Sequence, residues 1–326
     1  MDAADPTSQS MRSGRAVENG ETPKTIRNLT WLHPMHGVLR RADLDLDPVM
    51  ARLSDAVALM GPGTVLGGWA SLRAQGNTWF DPNCETGVRP VMIHCLVGSQ
   101  LRRRAGIVPN RGLLFADEFY RLERYDVTSL ARAAYDEMRM AKGLRNAVVV
   151  LDMAVSTTSN VPHTSISAIT RVIESHHKTR GIEQARRALS LGSSRSASPW
   201  ETRTRLIAHM DAGLKGLLVN APVFDAAGDL LGIADLLDPQ TGLVIESDGA
   251  GHREAQAHSA DNIREEKFER ALMTVVRVAA LEHANRFAVA ARIRAAQRDA
   301  KKTMNNRWTL EKPEWWSRWP HARRWE

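Results

Sequence analysis

The chain has 326 residues, 43% hydrophobic and 25% charged, an ordinary balance for a globular protein with a sizeable core and room for two domains. Its 44 Lys and Arg outnumber 37 Asp and Glu to give a net charge of +7, which points toward an anionic partner such as nucleic acid. Two cysteines, Cys84 and Cys95, are too few for a disulfide framework or a zinc site, and no apolar run approaches the roughly eighteen residues needed to span a bilayer. The first residues lack an apolar core of signal-peptide length, so a cytoplasmic protein with reduced thiols and no membrane partner is expected.

Residues 1–25 are polar and aperiodic and read as a disordered arm. Residues 31–44 look like a short strand leaving a turn. Asp47-Pro48 then starts a helix with Pro at its first position and Met50, Leu53, Val57 and Met60 on its apolar face. That helix should stop at Gly61-Pro62-Gly63. VLGGWASLRAQG begins as a strand and turns helical, and 88–98 is a strand of apolar and β-branched residues. Arg102-Arg103-Arg104 is a short charge run, either a solvated turn or a contact to backbone phosphates. A meander follows through GIVPNRGLLF and FYRLERYDV. Thr128 caps a helix over SLARAAYDEMRMA, NAVVVLDMAV is ambiguous between strand and helix, and two further helices split near Gly181. His176-His177 read as a surface pair. Residues 26–192 thus form an α+β domain.

The serine-rich stretch LGSSRSASPW, 191–200, breaks the composition and marks a boundary. Beyond it come a helix at 199–212, a strand around LVNAPVF, a hairpin, a helix at about 260–272, the strand TVVRVAAL and a helix at 283–304. Residues 196–295 therefore form an α/β domain, and 296–326 are a basic, Trp-rich tail. The tail either docks on the apolar surface of that domain or, with tryptophans among cations, grips phosphates and stacks bases.

The hairpin GIADLLDPQTGLVIESDGAGH carries the chemistry. Asp238-Pro239-Gln240-Thr241-Gly242 is a natural reversal. If Asp238 faces Leu243, then Leu236 faces Ile245 and Asp235 faces Glu246, with Asp248 two residues on. Like charges so close repel or share a proton, unless a hard divalent cation such as Mg²⁺ sits among them. Read blandly, the acids are solvated on an open hairpin face, and a one-residue slip would separate the pair.

Four other groups bear on the same patch. Ser198-Pro199-Trp200-Glu201 is a capping box, which gives Glu201 a structural role beside a metal-binding one. His252 follows a Gly-rich turn, where it is a surface residue or a general acid or base. Asp261 and Arg264 have the spacing of an ion pair within one helix. Arg277 interrupts an apolar strand, so it must meet an acid in the core or an anion.

SPWETRTRL, GIADLLDP, VIESDGAGH, DNIREEKFERAL and VVRV, in this order, resemble the PD-(D/E)xK nuclease superfamily, in particular the domains related to very-short-patch repair endonucleases. The resemblance covers roughly 196–280. It implies a restriction-endonuclease-like mixed sheet flanked by helices, with Mg²⁺- or Mn²⁺-dependent hydrolysis of DNA phosphodiesters. It matches Asp235 to the metal-bridging aspartate, Glu246 to the acid of the (D/E)xK strand, Glu201 to the helix glutamate and His252 to the histidine of the repair branch. The lysine two residues after the second acid is replaced by Asp248. HPMHGVLRR, VLGGWASLRAQG and DVTSLARAAYDEMR resemble proteins that join such a domain to a region like the abortive-infection antitoxins of the AbiEi type.

The sequence therefore leads to a metal-dependent DNA endonuclease of the defence or restriction type, preceded by a separate α+β domain. Asp235 and Glu246 would be the metal ligands, Asp248, His252 and Glu201 would assist, and Arg277, Lys267 and Arg264 would contact DNA. Double-strand cutting would favour a homodimer. A catalytically inactive DNA-binding regulator of the antitoxin type is the alternative, and an interaction module built on the tail is a third.

Overall fold

The structure, a computed structural model, describes residues 9–84, 87–249, 266–302 and 307–325. The chain forms two compact units, Met1–Lys142 with Val161–Leu189, and Gly143–Asn160 with Ser190–Glu326. Both are mixed α/β, with mixed or antiparallel sheets flanked by helices. No helix among the described residues is long and apolar enough to cross a membrane.

In the first unit the strands in chain order are β1 (Ser10–Arg12), β2 (Trp31–Met35), β3 (Val38–Arg41), β4 (Thr64–Gly67), β5 (Asn83–Cys84), β6 (Gly87–Val88), β7 (Val91–Cys95), β8 (Ile107–Asn110), β9 (Phe119–Leu122) and β10 (Tyr125–Thr128). A small antiparallel sheet has the order β1-β3-β2, and a five-stranded mixed sheet the order β8-β7-β4-β10-β9. Residues 9–25, expected to be disordered, instead carry β1 and the helices Ser13–Glu18 and Pro23–Ile26. Long-range partners order them where periodicity is lacking. Ser10 donates from its amide to Ser54 Oγ and from its hydroxyl to Asp55, each at 2.7 Å, and Arg12 reaches the carbonyls that close the next helix.

That helix, Pro48–Val57, starts where expected, with Asp47 Oδ1 accepting from the amides of Val49 and Met50. Its buried face is Val49, Leu53 and Ala56, about one residue round from the expected stripe. The helix Leu130–Met140 is capped by Ser129, not Thr128, which is the last residue of β10.

Under this sheet lies a buried ionic cluster. Arg132, 2% exposed, donates to Glu118 Oε2 at 2.5 Å and to Asp136 Oδ2 at 3.1 Å. His94 Nε2 and Arg139 also reach Asp136, at 2.9 and 2.8 Å. Burial would push the Asp136 carboxyl up, but His94, Arg132 and Arg139 outweigh it and hold it well below the usual carboxylate range. His176 is not a surface residue. It is buried, 2.7 Å from Glu118 Oε1, with its ring stacked on Tyr135. His177 alone is exposed.

The second unit holds β11 (Leu218–Asp225), β12 (Leu230–Asp238), β13 (Leu243–Asp248), β14 (Thr274–Ala279) and β15 (Trp308–Thr309), in the order β14-β13-β12-β11-β15. Neighbours are antiparallel except β13 and β14, which run parallel and so need a crossover. Residues 266–270 are helical and lie on that crossover, and Phe268 and Ala271 pack with Met273 on one sheet face against Val223, Ala234 and Val244. On the other face Leu236, Ile245 and Val278 meet Ile207 and the terminal helix Arg286–Lys302 through Val289 and Ile293.

The ambiguous NAVVVLDMAV is helical, part of Leu144–Val155. Its Asp152 is fully buried and accepts from Ser193 N, Ser196 Oγ, Thr202 Oγ1 and Arg205 Nη2 at 2.7–3.0 Å. Burial raises this carboxyl, with Arg205 and the hydrogen bonds opposing. The cluster fixes the helix Pro199–Leu206, from which Glu201 projects.

The tail docks on its own unit. β15 extends the sheet beside the end of β11, and Trp316, 1% exposed, packs edge-on to Phe224 at 5.3 Å and against Trp319 at 5.0 Å. Trp316→Ala should cost roughly 3–5 kcal/mol. That would lower the thermal midpoint by about 10 °C, read by calorimetry. A shift below about 2 °C would show that the tail adds nothing to the fold.

Candidate active site

The reversal after β12 is built as its sequence requires. Asp238 accepts from Gln240 N at 3.1 Å and from Thr241 Oγ1 at 2.9 Å. Gly242 has φ +73°, and a Cβ there would sit 3.1 Å from Trp308 Nε1. The register is the expected one, with Asp238 opposite Leu243, Leu237 opposite Val244 and Leu236 opposite Ile245. One step further, at Asp235 and Glu246, the recorded backbone pairing ends. There Asp235 Oδ2 accepts from Ser247 N at 2.7 Å, so a carboxylate stands where the ladder would place a carbonyl.

Glu246 is buried, 6% exposed, while Asp248 is exposed at the end of β13. Across the parallel pair, Arg277 lies in register with Glu246 and is exposed. Its carbonyl accepts from Arg292, which also pairs with Glu282; the Arg292 hydrogen bond lowers the Glu282 carboxyl. Arg277 thus sits beside a carboxylate position on the sheet.

On the far side of β12, Val219 pairs with Leu236 and Ala221 with Ala234, so Asn220 lies opposite Asp235. Asn220 takes φ +48° and its Nδ2 donates to Glu201 Oε2 and to the Arg195 carbonyl, each at 2.7 Å. Glu201 Oε2 also accepts from Ala197 N at 2.8 Å, and Ser198 Oγ caps the Glu201 amide. The capping role is therefore real, with the back-bond going to Ala197 instead of Ser198. The same contacts carry Glu201 to the strand next to Asp235.

Lys267 is elsewhere on the unit. Its Nζ donates to the Leu230 carbonyl at 3.2 Å, at the start of β12. His252, Asp261 and Arg264 lie outside the described residues. Among the described residues, no group of three or more His, Cys, Asp or Glu is arranged to hold a metal ion.

One neighbouring cluster has no counterpart in the sequence reading. A Cβ on Gly249 would sit 3.3 Å from Trp200 Cδ1, so Trp200 flanks the end of β13. Arg203 stacks over the Trp200 ring at 4.8 Å, and the His283 ring is 5.1 Å from it. His283 Nε2 is 3.0 Å from Thr204 Oγ1, and burial lowers this imidazole, keeping it neutral near pH 7. Only the Trp in SPWE hinted at the cluster.

Compared with known proteins, the chain matches no protein family, no curated protein and no solved structure.

Proposed function

We propose that the second unit hydrolyses DNA phosphodiester bonds with a divalent cation, Mg²⁺ or Mn²⁺, held by Asp235 and Glu246. The observation that carries this reading is the Leu236–Ile245 pairing, which makes Asp235 and Glu246 the next residues on two adjoining strands. Resemblance to the PD-(D/E)xK superfamily supplies the rest, together with an antiparallel three-strand meander followed by a parallel fourth strand.

The donor set fits the ion. Mg²⁺ takes hard oxygens, often from one or two carboxylates, and keeps several waters. Ligating carboxylates need orienting hydrogen bonds, and the amide of Ser247 supplies one to Asp235. Glu201, held by Asn220 and Ala197, assists from the helix Pro199–Leu206. When bound, the ion supplies a Lewis acid for a phosphate oxygen and acidifies a water.

The protein's own groups do the remainder. Asp248, where the superfamily the chain resembles has a lysine, or His252 accepts a proton from the attacking water. Arg277 steadies charge on the phosphoryl oxygens, and Lys267 and Arg264 hold the DNA backbone. Purified protein should nick or linearise supercoiled plasmid with Mg²⁺ or Mn²⁺ and leave it intact with EDTA. Equal inertness in both conditions, across varied DNA substrates, removes the proposal.

A second reading, a DNA-binding regulator with an inactive nuclease fold, is favoured by Asp248 in the lysine position and by the structural use of Glu201 Oε2. Such a protein would bind DNA equally with EDTA present and would be indifferent to loss of Asp235.

A further inference from the structure

The arginine run singled out in the sequence is left unused by the site above, and it lies in the first unit. There Arg52, Arg103 and Arg104 line a cavity of about 380 Å³ whose other walls are Val88, Pro90 and residues 105–108, with no carboxylate among the described residues. Arg52 Nε is buried without a hydrogen-bond partner among the described residues. Asp55, on which the Arg52 charge also acts, is already engaged by Arg40 and Ser10.

This cavity is the end of a longer track. Arg104 also lines a cavity of about 840 Å³, which shares Arg12 and Arg15 with a third of about 570 Å³ that reaches Arg121 and Arg124. Among the described residues the three are lined by seven arginines and two carboxylates, Glu18 and Asp126, and Asp126 is paired with Arg121 at 3.3 Å. Arg15, Arg103 and Arg124 are exposed and make no side-chain hydrogen bond or ion pair with any described residue.

Three of the seven are held within the fold: Arg12 by the carbonyls at the end of the helix Pro48–Val57, Arg104 by the His36 carbonyl and Arg121 by Asp126, whereas Arg15, Arg103 and Arg124 have no such partner among the described residues. The exposed guanidiniums of Arg15, Arg103 and Arg124, spread over three adjoining cavities, repel one another until anions arrive. Planar, fork-shaped donors match phosphate oxygens in pairs, and lysine is absent from the track. Successive cavities suit a chain of regularly spaced anions better than one small ion.

We propose that the first unit binds the phosphate backbone of duplex DNA along this arginine track. The proposal rests on the DNA-partner part of the reading above and not on cleavage. It assigns the first unit a positioning role that carries no base specificity.

The test is fluorescence anisotropy of the full chain with a labelled duplex, in EDTA, from low to moderate salt. The triple variant R15A/R103A/R124A should weaken binding by at least tenfold and flatten the salt dependence by about three phosphate contacts, near 2.7 in the log–log slope. The control triple R27A/R171A/R180A removes three exposed arginines of the same unit outside the track and equalises net charge. The proposal is overturned if the track variant binds like wild type, or if both triples lose affinity equally. Wild type that cuts DNA while the track variant binds unchanged removes this inference alone. Wild type that binds through the track yet never cuts removes only the nuclease reading. No binding by wild type in EDTA removes this inference, and plasmid cleavage with Mg²⁺ or Mn²⁺ decides the nuclease reading separately.

Discussion

Asp235→Asn should lower Mg²⁺-dependent DNA cleavage about 10³-fold while the thermal midpoint moves by less than about 2 °C. The substitution separates charge from packing. Asparagine keeps an oxygen that can accept from Ser247 N, the contact that Asp235 Oδ2 makes at 2.7 Å, so the strand end stays in place. What it removes is the negative charge that, in the proposed reading, would hold a hard cation. A metal's stabilisation of transition-state charge is worth several kcal/mol, and each ~1.4 kcal/mol is a factor of ten. Glu246→Gln should behave alike, and the double variant should be no worse than either single one, because both act through one ion. Undiminished cleavage by Asp235→Asn would end the assignment of this residue.

The second large effect is on stability. Arg132→Met should cost roughly 3–5 kcal/mol at neutral pH, because it leaves Glu118 and Asp136 buried without their shared guanidinium. The loss should depend on pH in a defined direction. Asp136 is held below its ordinary value in the folded chain, whereas an unfolded aspartate titrates near 4. Its stabilising contribution is complete above about pH 4 and is lost as pH falls toward the folded value. The gap between variant and wild type should therefore narrow below about pH 4. Urea titrations at several pH values read this directly. A gap under about 1 kcal/mol at pH 7, or one that stays constant into acid, contradicts the role given to the cluster.

Local signals in the sequence proved the most legible. The turn Asp238–Gly242 set the hairpin register, because two cap-like hydrogen bonds and one positive-φ glycine allow few alternatives. Asp47-Pro48 and Ser198-Pro199 located two helix starts for the same reason. What stayed hidden depends on partners far along the chain. The acid that buries His176 is Glu118, 58 positions away, and nothing near His176 announces it. β1 exists because Ser10 meets Ser54 and Asp55 more than forty residues later. The capping box gives Glu201 a structural role beside its site role, but its bond to Asn220 of β11, further along the chain, is not legible in the sequence. The Trp200–Arg203–His283 cluster joins the helix Pro199–Leu206 to a histidine far along the chain, so SPWE alone could not expose it. Of the candidate site residues, Asp235, Glu246 and Arg277 are set on adjoining strands by register, which a sequence can specify. Lys267, placed by a crossover, does not join them.

The most direct measurement is an anomalous difference map from crystals soaked in Mn²⁺. A peak bonded to oxygens of both Asp235 and Glu246, lost in Asp235→Asn crystals, is the predicted result. Saturating Mn²⁺ with density elsewhere and none between those two carboxylates would contradict the account.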